Sequence, residues 1–299
     1  MAGAPHFRRK DESVEAGFRR IAVAEIEAAV AILDGDRSPA EKVHKLRRQL
    51  KALRALLRLV RPAFARFEKE NRTFRDMARA LSRTRDARVM LDTFDAVTQR
   101  GDGQPLPRSF KTVRAGLAAA CQSPGDEAAQ FAGARAALIE ALDRVRHWSL
   151  SEHGWAAIAA GLARTYGDAR DAMRAALDSG DAAAAHEWRK GVKYHGAQAR
   201  LLRKMRSGAL DADTKASSRL ADLLGERHDI DMFLDAMAHA PARFGGIATV
   251  TQLAGLARLR RARIDRRAER LGERLFAQKP GRLAGRWQGW WTDWRHGDD

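Results

Sequence analysis

Ser38-Pro39-Ala40-Glu41-Lys42-Val43-His44-Lys45-Leu46-Arg47-Arg48-Gln49-Leu50-Lys51-Ala52-Leu53-Arg54-Ala55-Leu56-Leu57-Arg58-Leu59-Val60-Arg61 spells out a helix and both of its faces. Ser38 is the N-cap, Pro39 takes the first helical position, and Glu41 stands three residues after the cap to complete a capping box. Pro62 ends the run, because it restricts its predecessor and lacks a backbone donor. Val43, Leu46, Leu50, Leu53, Leu57 and Val60 recur at alternating spacings of three and four and form one apolar stripe. His44, Arg47, Arg48, Lys51, Arg54 and Arg58 fall on another face. Such a helix buries one side in a bundle and presents the other as a ladder of cations about 30 Å long.

The next stretch repeats the device. Phe74, Met77 and Leu81 supply apolar positions, while Arg72, Arg75, Arg79 and Arg83 are spaced three, four and four apart. From Lys42 to Arg85 there are 15 Lys or Arg against three acids, which is most of the +17 carried by the whole 299-residue chain. Exposed helices ordinarily mix signs to gain i to i+4 pairs. These faces set like charges at repulsive spacings instead, an arrangement that an anion would relieve.

Outward from this stretch the reading stays helical. Aromatic residues make up 7% of the chain, with two tyrosines, and there are eight prolines. Little is left to build sheets from. Helices are expected over 10–33, 38–61, 64–98, 107–120 with 126–147, 152–178, 182–205, 213–238 and 247–277. Breaks are expected at 101–107, 123–125, 178–181, 207–211 and 241–246, where Gly, Pro, Asp and Ser cluster. A single cysteine, Cys121, excludes an intramolecular disulfide framework and a thiolate zinc cluster. With no apolar leader in the first ten residues and no apolar run of spanning length, the expectation is a cytoplasmic protein.

The sequence also repeats itself. His44-x-x-Arg47-Arg48-x-x-Lys51 returns as His186-x-x-Arg189-Lys190-x-x-Lys193, 142 residues on. Leu81 to Asp86 with Leu91-Asp92 returns as Leu224 to Asp229 with Leu234-Asp235, 143 residues on. Two blocks in one order at nearly one offset point to a duplicated unit of about 140 residues, with halves at about 10–148 and 149–280. The second half adds Arg200, Lys215 and Arg219 to the basic set. It is the weaker one: Gly196 stands at the position of Arg54, and Asp222 and Glu226 at those of Arg79 and Arg83.

These paired motifs, with the Arg85-Asp86 and His228-Asp229 blocks, resemble the CHAD family, the conserved histidine α-helical domain, over about residues 10–280. The resemblance implies an all-α fold of two antiparallel four-helix bundles related by a pseudo-twofold axis, with a basic cleft between them. It also implies binding of inorganic polyphosphate and association with polyphosphate granules. The binding residues it marks out are His44, Arg47, Arg48, Lys51, Arg54, Arg58, Arg72, Arg75, Arg79, Arg83, His186, Arg189, Lys190, Lys193, Arg200, Lys215 and Arg219.

The chemistry of the residues points the same way. Guanidinium forks and ammonium groups suit phosphate oxygens, whereas single-strand nucleic-acid sites interleave aromatics with basic residues. The basic faces at 44–58 and 72–83 contain no Tyr or Trp. A helical nucleic-acid-binding protein is the alternative that the net charge permits. A phosphotransferase or polyphosphatase is the second, but the sequence has no Gly-x-x-x-x-Gly-Lys-Ser/Thr loop and no evident carboxylate cluster for Mg²⁺. The expectation is therefore a non-catalytic binder with no cofactor and no metal. Asp86 and Asp229 are expected to orient nearby cations. In the segment 281–299, Trp287, Trp290, Trp291 and Trp294 would share one helical face, which could dock on the bundle, on a partner or on a membrane surface.

Overall fold

The computed structural model describes residues 5–81, 86–99, 106–121 and 127–297, without the side chains of 86, 87 and 127. Among them are eleven α-helices and no strand: α1 (Val14–Asp34), α2 (Pro39–Leu59), α3 (Phe67–Ala80), α4 (Asp86–Thr98), α5 (Arg108–Ala120), α6 (Glu127–Val145), α7 (Ala156–Ser179), α8 (Ala182–Leu201), α9 (Ser207–His239), α10 (Gly246–Leu275) and α11 (Pro280–His296). The chain is all-α, and none of these helices is long and apolar enough to cross a membrane.

Local chemistry sets several ends. Ser13 Oγ accepts from the Ala16 amide at 3.0 Å to start α1, and Asp181 Oδ2 accepts from the Ala184 amide at 3.1 Å to start α8. At α2 the capping box is formed, with Ser38 N donating to Glu41 Oε2 at 3.3 Å. Gly180 closes α7 in the left-handed region, at φ +65.

The apolar stripe of α2 is buried throughout, from Val43 to Val60. It packs against α1, α3, α7 and α8. On one side α1 also meets α6, around a cluster in which Phe18 stacks on Trp148 at 5.1 Å and Phe64 meets both. On the other, α7, α8, α9 and α10 pack in sequence, with α11 laid on α7. The two groups meet where α2 crosses α7 and α8. There the buried Gln198 donates to Thr165 Oγ1 at 3.0 Å and to the Ala55 carbonyl at 3.4 Å. Close approach at this crossing depends on Gly161, since a Cβ there would lie 2.6 Å from the Arg58 carbonyl oxygen and nearer still to that of Leu59.

Three expectations need correction. The single helix expected over 64–98 is two. Leu81 closes α3 through its amide, and the apolar sets on either side serve different partners: α3, with its buried Phe74 and Met77, packs on α2, whereas Phe94 meets Phe110 of α5 and Phe233 of α9. In one continuous helix those sets would point more than a quarter of a turn apart. The break expected at 207–211 is instead the first turn of α9, because Leu210 is fully buried there and its burial overrides the Ser, Gly and Asp signals. Finally, α8 stops at Leu201, and residues 203–205 form a 3₁₀ turn that buries Met205.

The Trp row is helical. In α11, Trp287 and Trp291 are buried and Trp290 and Trp294 half-buried. Trp291 lies against Phe7 and Trp155, and Trp287 against the buried His195. Arg295 Nη1 donates to the carbonyls of Arg9 and Asp11 at 2.7 and 2.9 Å, tying the two ends of the described chain together.

Candidate polyanion-binding cleft

The basic faces of α2, α3 and α8 turn toward one another and enclose a cleft of about 520 Å³. Its lining is Arg47, Arg48, Lys51, Ala52 and Arg54 of α2, Arg75, Ala78 and Arg79 of α3, and His186, Arg189, Lys190, Lys193, Tyr194, Ala197 and Arg200 of α8. Ten of these fifteen residues are Lys or Arg and none is acidic. Two segments some 140 residues apart in sequence thus build a single concave, cationic surface. The alanines leave room between the helices, and the long side chains define the walls.

Several of the cations are held in place. Arg47 Nη1 donates to the Ala78 carbonyl at 3.1 Å, linking α2 to α3, and Arg54 Nε donates to Asn71 Oδ1 at 3.1 Å. Lys190 Nζ lies 2.7 Å from Glu187 Oε1, and Arg75 Nε 2.9 Å from Asp76 Oδ1. These carboxylates stand outside the lining, so they steady the cations without placing negative charge in the cleft. Burial lowers the pKa of Arg54, and the like charges of Arg58 and Arg75 add to the effect. Arg200 is lowered for the same first reason. Both remain charged, given how high a guanidinium starts.

Tyr194 was not foreseen as a site residue. Its ring lies under two guanidiniums, with Arg58 Cζ 4.3 Å and Arg54 Cζ 5.7 Å from the centroid. This is cation–π geometry that pins both arginines. Tyr194 is 9% exposed, so its ring face is spent on arginine and offers no platform for a base. The signal in sequence was its place one residue after Lys193 of the repeated motif.

The histidines of the second half form a pair. His186 of α8 and His228 of α9 stand with ring centroids 4.7 Å apart, and His186 also lines the cleft. Burial pushes both pKa values down, His228 to about 4, with Lys193 and Arg189 adding repulsion. Both rings are therefore neutral at pH 7. Beneath the cleft, Glu25 of α1 is buried, and burial raises its carboxyl to about 7 against the pull of Arg200 and Arg48.

Other expected site residues lie elsewhere. His44 is exposed one turn before Arg48 and falls outside the lining, as does the exposed Arg72, one turn before Arg75. Arg58 has been carried past Tyr194 into a neighbouring pocket of about 150 Å³ with Arg61, Arg164, Asp168 and Glu187. Lys215 and Arg219 are exposed on α9 and do not reach the cleft. Arg83 lies outside the described residues.

The departures from the first-half pattern have structural causes. Gly196 is buried against α9, and a Cβ there would lie 2.6 Å from Ser217 Cβ. An arginine at this position is therefore sterically barred. Asp222 and Glu226 line a second depression, of about 380 Å³, that touches the cleft at Arg189 and Lys193. Glu226 is ion-paired with Arg260 of α10. Asp229 lines the same depression; the side chain of Asp86 is outside the described set. Among the described residues no group of three or more His, Cys, Asp or Glu is placed to hold a metal ion.

The CHAD-domain family model matches residues 18–238. The chain belongs to the CHAD family. The matched span holds every residue lining the cleft and ends before α10. No curated protein and no solved structure matches the chain. CHAD domains are known as polyphosphate- or triphosphate-binding domains, so the expected ligand class of the family and the charge of this cleft agree.

Proposed function

We propose that this CHAD protein binds inorganic polyphosphate in the α2–α3–α8 cleft without transforming it, and that this binding targets the protein to polyphosphate granules. One observation carries the reading: ten Lys or Arg line a single cleft that contains no carboxylate. A polymer with one charge or more on every unit and no bases needs cations along a path and little stacking surface. Among the described residues the only Phe, Tyr or Trp ring in the lining, that of Tyr194, is covered by Arg54 and Arg58, which favours the base-free polymer over a nucleic acid.

The test is displacement of labelled single-stranded RNA from the protein by long-chain polyphosphate at equal phosphate concentration. Polyphosphate is expected to displace it. Failure to do so would move the assignment to nucleic acid. Absence of phosphate release from polyphosphate incubated with pure protein and Mg²⁺ is the companion expectation; release lost in an Asp229→Asn variant would make the protein an enzyme.

A further inference from the structure

α10 lies beyond the residues that the family model matches, and it carries a row of cations that the cleft does not use. Arg263, Arg267, Arg270 and Arg274 are all exposed. At 100° per residue they fall within about 60° of one another, along about 16 Å of helix. The acids of α10, namely Asp265, Glu269 and Glu273, are centred more than a third of a turn away.

The neighbouring helix extends the row sideways. α9 and α10 pack together, and their register is set by Arg227 Nε to Asp265 Oδ1 at 2.8 Å and by the Arg260–Glu226 pair. Lys215 and Arg219 stand eleven and seven residues before Glu226, on the same row of α9. Running antiparallel, those steps lead from Arg260 to Leu271 and to Arg267. Lys215 and Arg219, exposed and outside the cleft, therefore flank the arginine row of α10. Among the described residues none of these six side chains makes an ion pair or a side-chain hydrogen bond.

We propose that this α9–α10 flank is a second, open polyanion-binding surface, which holds a separate stretch of the same phosphate polymer that the cleft takes. The proposal rests on the cleft reading for the identity of the ligand. Like charges at i, i+4, i+7 and i+11 repel in the isolated protein, and an extended anion laid along them removes that cost. The flank lacks exposed aromatic residues for bases to stack on. Beside the row the one exposed large apolar side chain among the described residues is Leu259, 62% exposed, too little to anchor a membrane surface. With a cleft and an open flank on one molecule, two polymer strands, or two distant parts of one strand, become joined through the protein.

The experiment compares the full chain with three variants: cleft (Arg47→Ala, Arg48→Ala, Lys51→Ala), flank (Arg263→Ala, Arg267→Ala, Arg270→Ala, Arg274→Ala), and both sets combined. The flank changes sit on an exposed helical face where alanine is well tolerated, and circular dichroism checks that each variant is folded. With polyphosphate too short to reach both surfaces, the flank variant should keep its affinity within about twofold, a surface change remote from the site. The cleft variant should keep its cleft phase with a slope lowered by about 2 and, beside it, a weak flank phase whose log–log salt slope is about 3, from four contacts; the combined variant should lose that weak phase. With long-chain polymer, light scattering from joined particles should drop at least tenfold in the flank variant. Scattering equal to that of the unaltered protein, or a weak phase unchanged in the combined variant, would overturn the proposal. So would a weak phase that prefers RNA or anionic phospholipid vesicles at equal charge. If the unaltered protein binds no polyphosphate at all, the cleft reading itself has failed.

Discussion

Because the two walls of the cleft come from distant parts of the chain, removing cations from either wall should weaken the same binding event. Consider two triple variants, Arg47→Ala/Arg48→Ala/Lys51→Ala on α2 and Arg189→Ala/Lys190→Ala/Lys193→Ala on α8. All six side chains line the cleft. Each partly exposed charge contact is worth on the order of 1 kcal/mol at low salt, so each triple should cost about 3 kcal/mol, roughly a 150-fold rise in Kd. Ten cations at a single-strand value of about 0.7 per contact give a log–log salt slope near 7, and losing three should lower it by about 2. The α8 triple should cost somewhat less, because Lys190 is already paired with Glu187. Fluorescence anisotropy with end-labelled, size-defined polyphosphate at three or four salt concentrations measures both quantities. The decisive result is the α8 triple. If it leaves Kd and slope unchanged while the α2 triple raises Kd and lowers the slope, the polymer lies along α2 and α3 alone and the shared cleft is not the site.

Three further expectations concern stability. The Glu25 carboxyl, raised from 4.5 to about 7, holds its proton more tightly in the folded chain than in the unfolded one. Stability should therefore fall as pH rises from 4.5 to 7, by about 3 kcal/mol in all. Glu25→Gln keeps the neutral form, so it should match the parent at pH 4 and exceed it at pH 8 in urea melts; equal midpoints at pH 8 would contradict the burial argument. Gly161→Ala should cost about 3 kcal/mol by forcing α2 and α7 apart, read as a lower thermal midpoint. Trp287→Ala should cost about 3–5 kcal/mol, because its fully buried ring fills the space between α11 and the body; a small loss there would mean that α11 is only loosely attached.

Much of this molecule is legible in its sequence because the signals act over short range. The cap Ser38-Pro39-x-Glu41 and the stripe from Val43 to Val60 reach structure almost unaltered, since capping and helical period are local properties. The convergence of α2 and α8 on one cleft is instead what the resemblance to the CHAD family implies, carried by the repeated His-x-x-Arg-Arg/Lys-x-x-Lys pattern. What sequence misses depends on partners. Leu210 extends α9 through an apparent turn because a distant core accepts it. Phe94 turns α4 away from α3 because Phe110 and Phe233 receive it. At the site, periodicity places His44, Arg58 and Arg72 on the right faces but not at the right heights. A helix crosses its neighbour over only two or three turns, and cations beyond that crossing diverge from it. Lys215 and Arg219 obey the same rule on α9, where their row leads to α10. Tyr194 is missed for a further reason: a search for cations passes over the ring that fixes two of them.

The seam at Gly196 acts as a ratchet. No side chain fits there while Ser217 stands opposite, and α8 and α9 would first have to slide apart, at the expense of every neighbour they share. The sparser bank of the trough is in this way locked by backbone proximity, beyond the reach of a single substitution at that position. On the proposed reading a bound thread would meet two unequal shores, with six cations along α2 and α3 against four along α8, and it should peel away from the α8 side first.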